Sequence, residues 1–211
     1  MNPTYKPEIF DVQNELEARA IILTPEGSTT NDRWVTETPY LALDINSFFN
    51  LGEQSLVLDF GCGIGRISRE LIARSGCRVL GLDISQSMRE LSINYVASDR
   101  FSPVGKGLLE NLIDKGLRVD ACVSIWVLQH CPNIAEEIQM IKSILKPGGL
   151  FYILNNVNSA IPTDMGWVSD GVNIQELLEE NFKLVSYTKL PEAVSIKQLT
   201  ELSFIAKLEN R

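Results

Sequence analysis

From residue 55 onward, short apolar runs alternate with stretches whose apolar side chains recur at helical spacing. Such runs are typical of strands buried on both faces, and the spaced stretches are typical of helices that cover a sheet. The predicted strands are 55–60, 77–83, one within 99–106, 120–128 and 150–156, and the predicted helices between them are 64–75, one headed by Ser85 or Ser87, 108–116 and one headed by Asn133. This alternation predicts an α/β fold with a parallel sheet covered on both faces.

The first quarter of the chain is predicted to be helical. Apolar residues over 9–23 keep helical spacing, and Thr38 followed by Pro39 is typical of the start of a second helix. We therefore expect residues 1–54 to form a helical extension packed on the core. Residues 55–211 are expected to form the main domain, with a single structural domain overall.

The C-terminal part has a third pattern. Residues 157–171 are predicted to form a long irregular loop, which is followed by a helix around Leu177. Two strand-like runs, 182–190 and 199–208, come next with no helical pattern between them, which predicts a hairpin. One strand of this pair must then run antiparallel to the rest of the sheet.

Composition narrows the possible functions. The chain has 211 residues, 45% of them hydrophobic, which suits one domain with a full core. Its net charge of −8 and pI of about 4.8 argue against general affinity for nucleic acid. No apolar run approaches the ~20 residues that span a bilayer, and the first residues lack the pattern of a signal peptide. The four cysteines form no C-x-x-C pair, so we expect reduced thiols, a cytoplasmic protein and no metal site.

Residues 56–66, LVLDFGCGIGR, place glycines at every second position directly after a predicted strand. A phosphate loop requires G-x-x-x-x-G-K-[ST], and the missing Lys-Ser/Thr pair excludes it. The dinucleotide fingerprint G-x-G-x-x-G fits Gly61 and Gly63, but Arg66 replaces its third glycine, which disfavours dinucleotide binding without excluding it. Asp83 ends the second predicted strand, where an acid suits the hydroxyls of a nucleoside ribose.

Four blocks, VLDFGCGIG, GLDIS, DACVSIWVLQH and LKPGGLFYI, occur in the order found in the class I S-adenosylmethionine-dependent methyltransferases, which the chain resembles over roughly residues 55–208. The resemblance implies a three-layer, Rossmann-like sandwich with a seven-stranded, mostly parallel sheet. It also implies one antiparallel strand near the C-terminus, in agreement with the hairpin expected from the strand pattern.

The resemblance also implies how the cofactor S-adenosylmethionine is held. The glycine turn would surround its methionine part, and Asp83 would hold its ribose. Ile84 and Met88 would pack beside the adenosine, and Trp126 would line the wall near the sulfonium. The residues assigned in this way are Asp59, Gly61, Cys62, Gly63, Gly65, Asp83, Ile84, Met88, Ser124 and Trp126.

The adenine site departs from the family pattern. An acid often follows the third strand in this family, and Lys106 stands in its place. Either the alignment shifts here, or backbone groups of Lys106, Gly107 and Leu108 hold the adenine.

The implied reaction is an in-line displacement at the cofactor's methyl group, for which the protein supplies alignment and, where needed, a base. His130, the only histidine, follows the fourth predicted strand and is the candidate general base; the alternatives are a structural histidine with its hydrogen bonds satisfied and one that only shapes the pocket. Gln129 is interpreted as a pocket residue. The Asp/Asn-Pro-Pro-aromatic motif of the nucleic-acid amino methyltransferases is missing at this position, so we expect a small-molecule acceptor.

Two segments, 27–40 and 157–171, are predicted to cover the site. In the first, Arg33 is a candidate partner for the cofactor carboxylate through charge-assisted hydrogen bonds. In the second, Met165 and Trp167 give an apolar tip to a loop long enough to be a lid. Together they predict a small, partly enclosed acceptor with an apolar portion.

Two other functions stay open on the sequence. One is an NAD(P)-dependent oxidoreductase on a Rossmann sheet, which Arg66 and the C-terminal hairpin disfavour. The other is a non-catalytic, methyltransferase-like module that acts through a partner, which Lys106 keeps open. The sequence gives no prediction of the oligomeric state.

Overall fold

A computed structural model describes residues 3–211, so the first two residues of the expected N-terminal extension lie outside it. Its helices are α1 Glu15–Ile22, α2 Thr30–Phe49, α3 Arg66–Ser75, α4 Gln86–Val96, α5 Lys106–Asp114, α6 Ile134–Ile144, α7 Ile174–Asn181 and α8 Lys197–Leu202. Its strands are β1 Leu56–Phe60, β2 Arg78–Leu82, β3 Phe101–Val104, β4 Val119–Ile125, β5 Leu145–Asn156, β6 Ile161–Thr163, β7 Gly166–Val168, β8 Phe182–Thr188 and β9 Ser203–Asn210. Short 3₁₀ helices form at Pro7–Phe10 and Leu128–His130.

Within residues 3–211, seven strands form one sheet in the order β3-β2-β1-β4-β5-β9-β8. β9 runs antiparallel to both of its neighbours, β5 and β8, and the other pairs are parallel. The predicted fold class is confirmed, including the one antiparallel strand near the C-terminus. The strand order reverses between β1 and β4, and ligands of such sheets bind at the carboxyl ends of the strands beside that point.

Apolar layers cover both faces of the sheet. On one face, α2 and α3 pack through buried side chains such as Leu41, and on the other α6 packs through Ile138. A third cluster joins the N-terminal segment to α4, with Trp34 and Met88 among its buried members. None of the helices described in residues 3–211 has the length and apolar character needed to cross a membrane.

The start of α2 corrects a prediction. Thr29 caps this helix, since its hydroxyl accepts a backbone N–H of the first turn at 3.0 Å, and Thr38 does not. Pro39 therefore lies inside the helix, where it cannot donate a backbone hydrogen bond to the carbonyl of Val35, an exposed residue four positions earlier. The segment 27–40 is mostly helical, because a longer helix overrides the local cap signal.

Three other predictions were wrong in detail. The helix expected over 9–23 is divided, and Asn14 caps α1 through its side chain. Residues 157–171 are not irregular throughout, because β6 and β7 pair as an antiparallel hairpin. β8 and β9 do pair antiparallel, but α8 lies between them; it spans six residues and buries only Leu199, too short a segment to show a helical period.

Candidate active site

A cavity of about 680 Å³ opens at the carboxyl ends of β1, β2 and β4. Most of its wall is apolar, with polar groups at a few points, as in many small-molecule sites. The glycine turn, the end of β2 and the loop after β4 all contribute to this wall.

The turn after β1 brings bare backbone to the cavity. Gly61 and Gly63 have φ angles of +77° and +54°, which L side chains rarely adopt. A Cβ atom on Gly61 would come 2.3 Å from Val127, and one on Gly63 would come 2.6 Å from Ile22. Both of these side chains line the cavity, so the glycines keep open a concavity that a side chain would fill.

Asp83 joins the end of β2 to this turn. Its Oδ2 accepts the Gly63 N–H at 2.8 Å, and its Oδ1 accepts the Ser85 N–H at 2.9 Å. Burial raises the pKa of this carboxyl, although the two N–H donors oppose the rise. Each carboxylate oxygen keeps capacity for one more donor, which fits the two hydroxyls of a ribose.

Asp59 lies behind the turn and not on the cavity wall. Its Oδ2 accepts the hydroxyl of Ser68 at 2.6 Å. Burial raises the pKa of Asp59 to about 6, against the opposing effects of Ser68 and the nearby guanidinium of Arg66. Cys62 and Gly65 are also buried away from the cavity, so these three predicted residues support the turn from within.

Trp126 follows β4 and lines the cavity with a strained backbone. Its φ of +63° is rare for a bulky residue and costs about 1–3 kcal/mol. Its indole N–H is buried and has no hydrogen-bond partner among residues 3–211. Ser124, predicted for the same wall, is completely buried in β4 and does not reach the cavity. Backbone strain and an unpaired buried donor make Trp126 a candidate functional position.

Arg33 reaches the cavity from α2 and is 5% exposed. Its Nε donates to Oε1 of Glu37 at 2.6 Å, and its Nη1 donates to the carbonyl of Thr24 at 2.8 Å. Glu37 is completely buried, and its Oε2 lacks a partner in the described part of the chain. The guanidinium keeps further N–H groups with which it can bind a ligand carboxylate.

Lys106 lies on the cavity wall, but its ammonium group is engaged. Its Nζ donates to Oε1 of Glu137 at 2.5 Å. Burial works against the charged form, but the ion pair outweighs it and raises the pKa of Lys106. Of the residues assigned to the adenosine, Ile84, Met88 and Lys106 line the cavity, whereas Gly107 and Leu108 do not.

His130 lies in the 3₁₀ helix after β4 and also lines the cavity. Its Nδ1 is 2.7 Å from the carbonyl oxygen of Ala160, and since a carbonyl only accepts, Nδ1 carries the proton. Burial lowers the pKa of the ring, so the imidazole is neutral at pH 7. The ring contacts Phe10 and Trp167, with centroids 5.8 and 5.2 Å away.

Two segments that are distant in sequence meet at the cavity. The N–H of Lys6 donates to the carbonyl of Pro162 at 2.9 Å, and the N–H of Asp164 donates to the carbonyl of Thr4 at 3.0 Å. Three aromatic or apolar residues of the first segment, Tyr5, Ile9 and Phe10, join the wall. Sequence reasoning missed them because the two backbone bonds that bring this segment to the cavity join residues more than 150 positions apart along the chain.

Helices cover both faces of the sheet, whose strand order is β3-β2-β1-β4-β5-β9-β8. The glycine turn and Asp83 line one cavity at the point where this order reverses. Together these features are those of the class I methyltransferase fold. Residues 58–153 match the family model described as a methyltransferase domain. The N-methyltransferase NodS from Bradyrhizobium japonicum, solved with S-adenosyl-L-homocysteine, has a TM-score of 0.68 at 18% identity, over 99% of both chains.

Curated relatives are similar over part of their length. The ubiquinone biosynthesis O-methyltransferase of Coxiella burnetii is 33% identical over an alignment of 113 positions that covers 48% of this chain and 44% of that protein. The sterol 24-C-methyltransferase of Eremothecium gossypii is 33% identical over an alignment of 102 positions that covers 46% of this chain and 27% of that protein. The matched region thus spans less than half of either relative. The chain thus has the fold of solved methyltransferases, and its residues 58–153 match a methyltransferase domain.

Proposed function

We propose that this protein transfers a methyl group from S-adenosylmethionine to a small, largely apolar molecule. The observation that carries the proposal is the hydrogen bond between Gly63 and Asp83 on the wall of the cavity. This bond places the concave glycine turn and a carboxylate side by side on a cavity large enough for a ligand. A ligand that joins an amino acid to a nucleoside needs both groups close together.

The polar groups on the wall fit the separate parts of that cofactor. Asp83 would accept the ribose hydroxyls, and the concavity at Gly61 and Gly63 would receive the amino-acid part. Arg33 would bind the cofactor carboxylate, and the unpaired indole N–H of Trp126 would find an acceptor in the bound ligand. When bound, S-adenosylmethionine supplies a methyl group on a positively charged sulfur that leaves readily. The wall holds the reactants in line and excludes water.

The rest of the cavity suits an apolar acceptor. About 680 Å³ lies within the range of small-molecule sites, and Ile9, Phe10 and Trp167 contribute apolar side chains to the wall. The relatives named for ubiquinone biosynthesis and for a sterol agree with such an acceptor. The net charge of −8 favours a small molecule over nucleic acid. We further propose that residues 1–54 act as an extension that closes this site, and that the protein works in the cytoplasm.

Binding and transfer can be tested separately. Saturating S-adenosylhomocysteine should raise the melting temperature by about 2–4 °C for each kcal/mol of binding free energy gained. Methyl-labelled S-adenosylmethionine should then label apolar acceptors in a metabolite screen. A response to NAD(H) alone would contradict the proposal, and cofactor binding without any transfer would favour the non-catalytic module.

A further inference from the structure

Gln129 lies between the backbone of Asn156 and the ring of His130, with its side chain nearly out of contact with solvent. The N–H of Asn156 donates to Oε1 of Gln129 at 3.1 Å, and Nε2 of Gln129 is 3.3 Å from Nε2 of His130. Because a backbone N–H can only donate, the oxygen of the Gln129 amide must face Asn156. The NH₂ group of Gln129 therefore faces the histidine.

This arrangement fixes the protonation of the His130 ring from both sides. An NH₂ group can only donate, so Nε2 of His130 must accept and carries a lone pair. On the other side, the carbonyl of Ala160 accepts from Nδ1 at 2.7 Å. Gln129 also positions that carbonyl, since its own main-chain oxygen accepts the Ala160 N–H at 2.7 Å. Gln129 is thus the hydrogen-bond partner of Nε2, and it also positions the carbonyl of Ala160 that accepts from Nδ1.

We propose that Gln129 is a positioning residue that holds His130 in the tautomer with a basic Nε2, and that the acceptor presents a hydroxyl group to this atom. This inference rests on the proposed methyl transfer. In the bound state a hydroxyl takes the place of the NH₂ group of Gln129 at the single lone pair of Nε2, donates its proton there, and accepts from the displaced NH₂ group through its oxygen. A neutral amine nitrogen has a single lone pair, which the attack on the methyl group uses, so it has none left to accept from that NH₂ group.

Methyl transfer to a hydroxyl acceptor balances in protons and electrons. Its O–H proton passes to Nε2 of His130, and the oxygen electron pair forms the new bond to the methyl carbon. The bond from that carbon to sulfur breaks, and its electrons return to sulfur, which leaves as a neutral thioether. His130 then holds the proton and releases it to solvent.

The charged groups around the ring leave this assignment intact. Glu26, in the loop between α1 and α2, favours a protonated ring through its charge. Burial outweighs that effect, and the aromatic neighbours Phe10 and Trp167 add no charge. The neutral ring with an unprotonated Nε2 is therefore the resting form at neutral pH.

The tautomer can be measured without cofactor or acceptor. His130 is the only histidine, so in nitrogen-15-labelled protein without a histidine tag its two ring nitrogens are assigned directly by NMR. We expect the proton on Nδ1 near neutral pH. Gln129→Glu places a carboxylate oxygen against Nε2, and it should protonate that nitrogen and raise the pKa of His130 by about 1–3. A wild-type proton on Nε2, or an unprotonated Nε2 in Gln129→Glu, would overturn the inference.

The matched control is Gln54→Glu, which makes the same charge change in the exposed turn before β1 and should leave the His130 signals unchanged. Methyl-labelled S-adenosylmethionine should label phenols in preference to anilines of the same skeleton, and transfer to the anilines alone, or to neither, would overturn the hydroxyl assignment. Calorimetry with S-adenosylhomocysteine separates the two levels. Absent binding refutes the proposed function, whereas binding with the opposite tautomer refutes this inference alone.

Discussion

The backbone N–H of Gly63 donates to Oδ2 of Asp83 at 2.8 Å, and this bond joins the turn after β1 to the end of β2. The other oxygen of the same carboxylate accepts the N–H of Ser85, the residue that caps α4. One buried acid therefore shapes the backbone on two sides of the cavity, besides offering its remaining lone pairs to a ligand.

Asp83→Asn should weaken cofactor binding strongly. Asparagine can keep one of the two N–H bonds, but its NH₂ group would face the other donor. We expect the affinity for S-adenosylhomocysteine, measured by calorimetry, to fall roughly 10- to 100-fold, about 1–3 kcal/mol. Asp114→Asn makes the same change at the exposed end of α5 and should leave the affinity unaltered. Equal affinities in the two variants would contradict the proposed ribose site.

Gly61→Ala should destabilise the protein by more than the strain of a side chain at this positive φ angle alone. Its Cβ atom would lie within 3 Å of three atoms of Val127, one of them the rigid Cβ. Gly116→Ala is the matched control, because Gly116 also has a positive φ, of +90°, but a Cβ there would meet no atom of the described chain within 4 Å. We expect the control to lose about 1–2 kcal/mol of stability in urea denaturation, and Gly61→Ala to lose about 1–3 kcal/mol more. Only Gly61→Ala should also lose binding of S-adenosylhomocysteine.

The features predicted correctly from sequence are those that produce a recognisable pattern within a short stretch of the chain. The apolar run 55–60, the glycines after it and Asp83 each leave a local pattern, and the parallel topology then brings them to one edge. The direction of a side chain leaves no such pattern. Asp59 and Gly61 are two residues apart, yet only Gly61 reaches the cavity.

The features missed depend on contacts that are distant along the chain. The pairing of Thr4 with Asp164 adds the N-terminal segment to the cavity wall, and no local signal announces it. Similarly, the start of α2 at Thr30 depends on the tertiary packing of its buried face, which outweighs the cap-like Thr38-Pro39. These long-range contacts exist only once the sheet has formed.

Asp59 should make the protein less stable as the pH rises. Its pKa is raised from 3.8 to about 6 in the folded state, so between these values the unfolded chain has released a proton that the folded chain retains. Stability therefore falls as pH rises through this window, by about 3 kcal/mol from this group. The difference in unfolding free energy between wild type and Asp59→Asn should shrink by that amount from pH 4 to pH 7. Ser68→Ala, which removes a hydrogen bond that favours ionised Asp59, should enlarge the step; a pH-independent difference would contradict the account.

Glu37 should contribute far more to the free energy of unfolding than a surface acid that pairs with an arginine. Its carboxylate is completely buried against Arg33, and its charge also acts on the buried Arg66. Glu37→Ala removes the carboxylate partner of buried Arg33 and weakens the compensation of Arg66, so we expect a loss of about 3–5 kcal/mol in urea denaturation. The matched control is Glu70→Ala, which breaks an exposed pair with Arg74 at the same helical spacing and should cost about 0.3–0.5 kcal/mol. Glu37→Gln keeps the acceptor oxygen for Arg33 and should fall between the two; equal losses for Glu37→Ala and Glu70→Ala would show that the buried pair does not hold Arg33 in place.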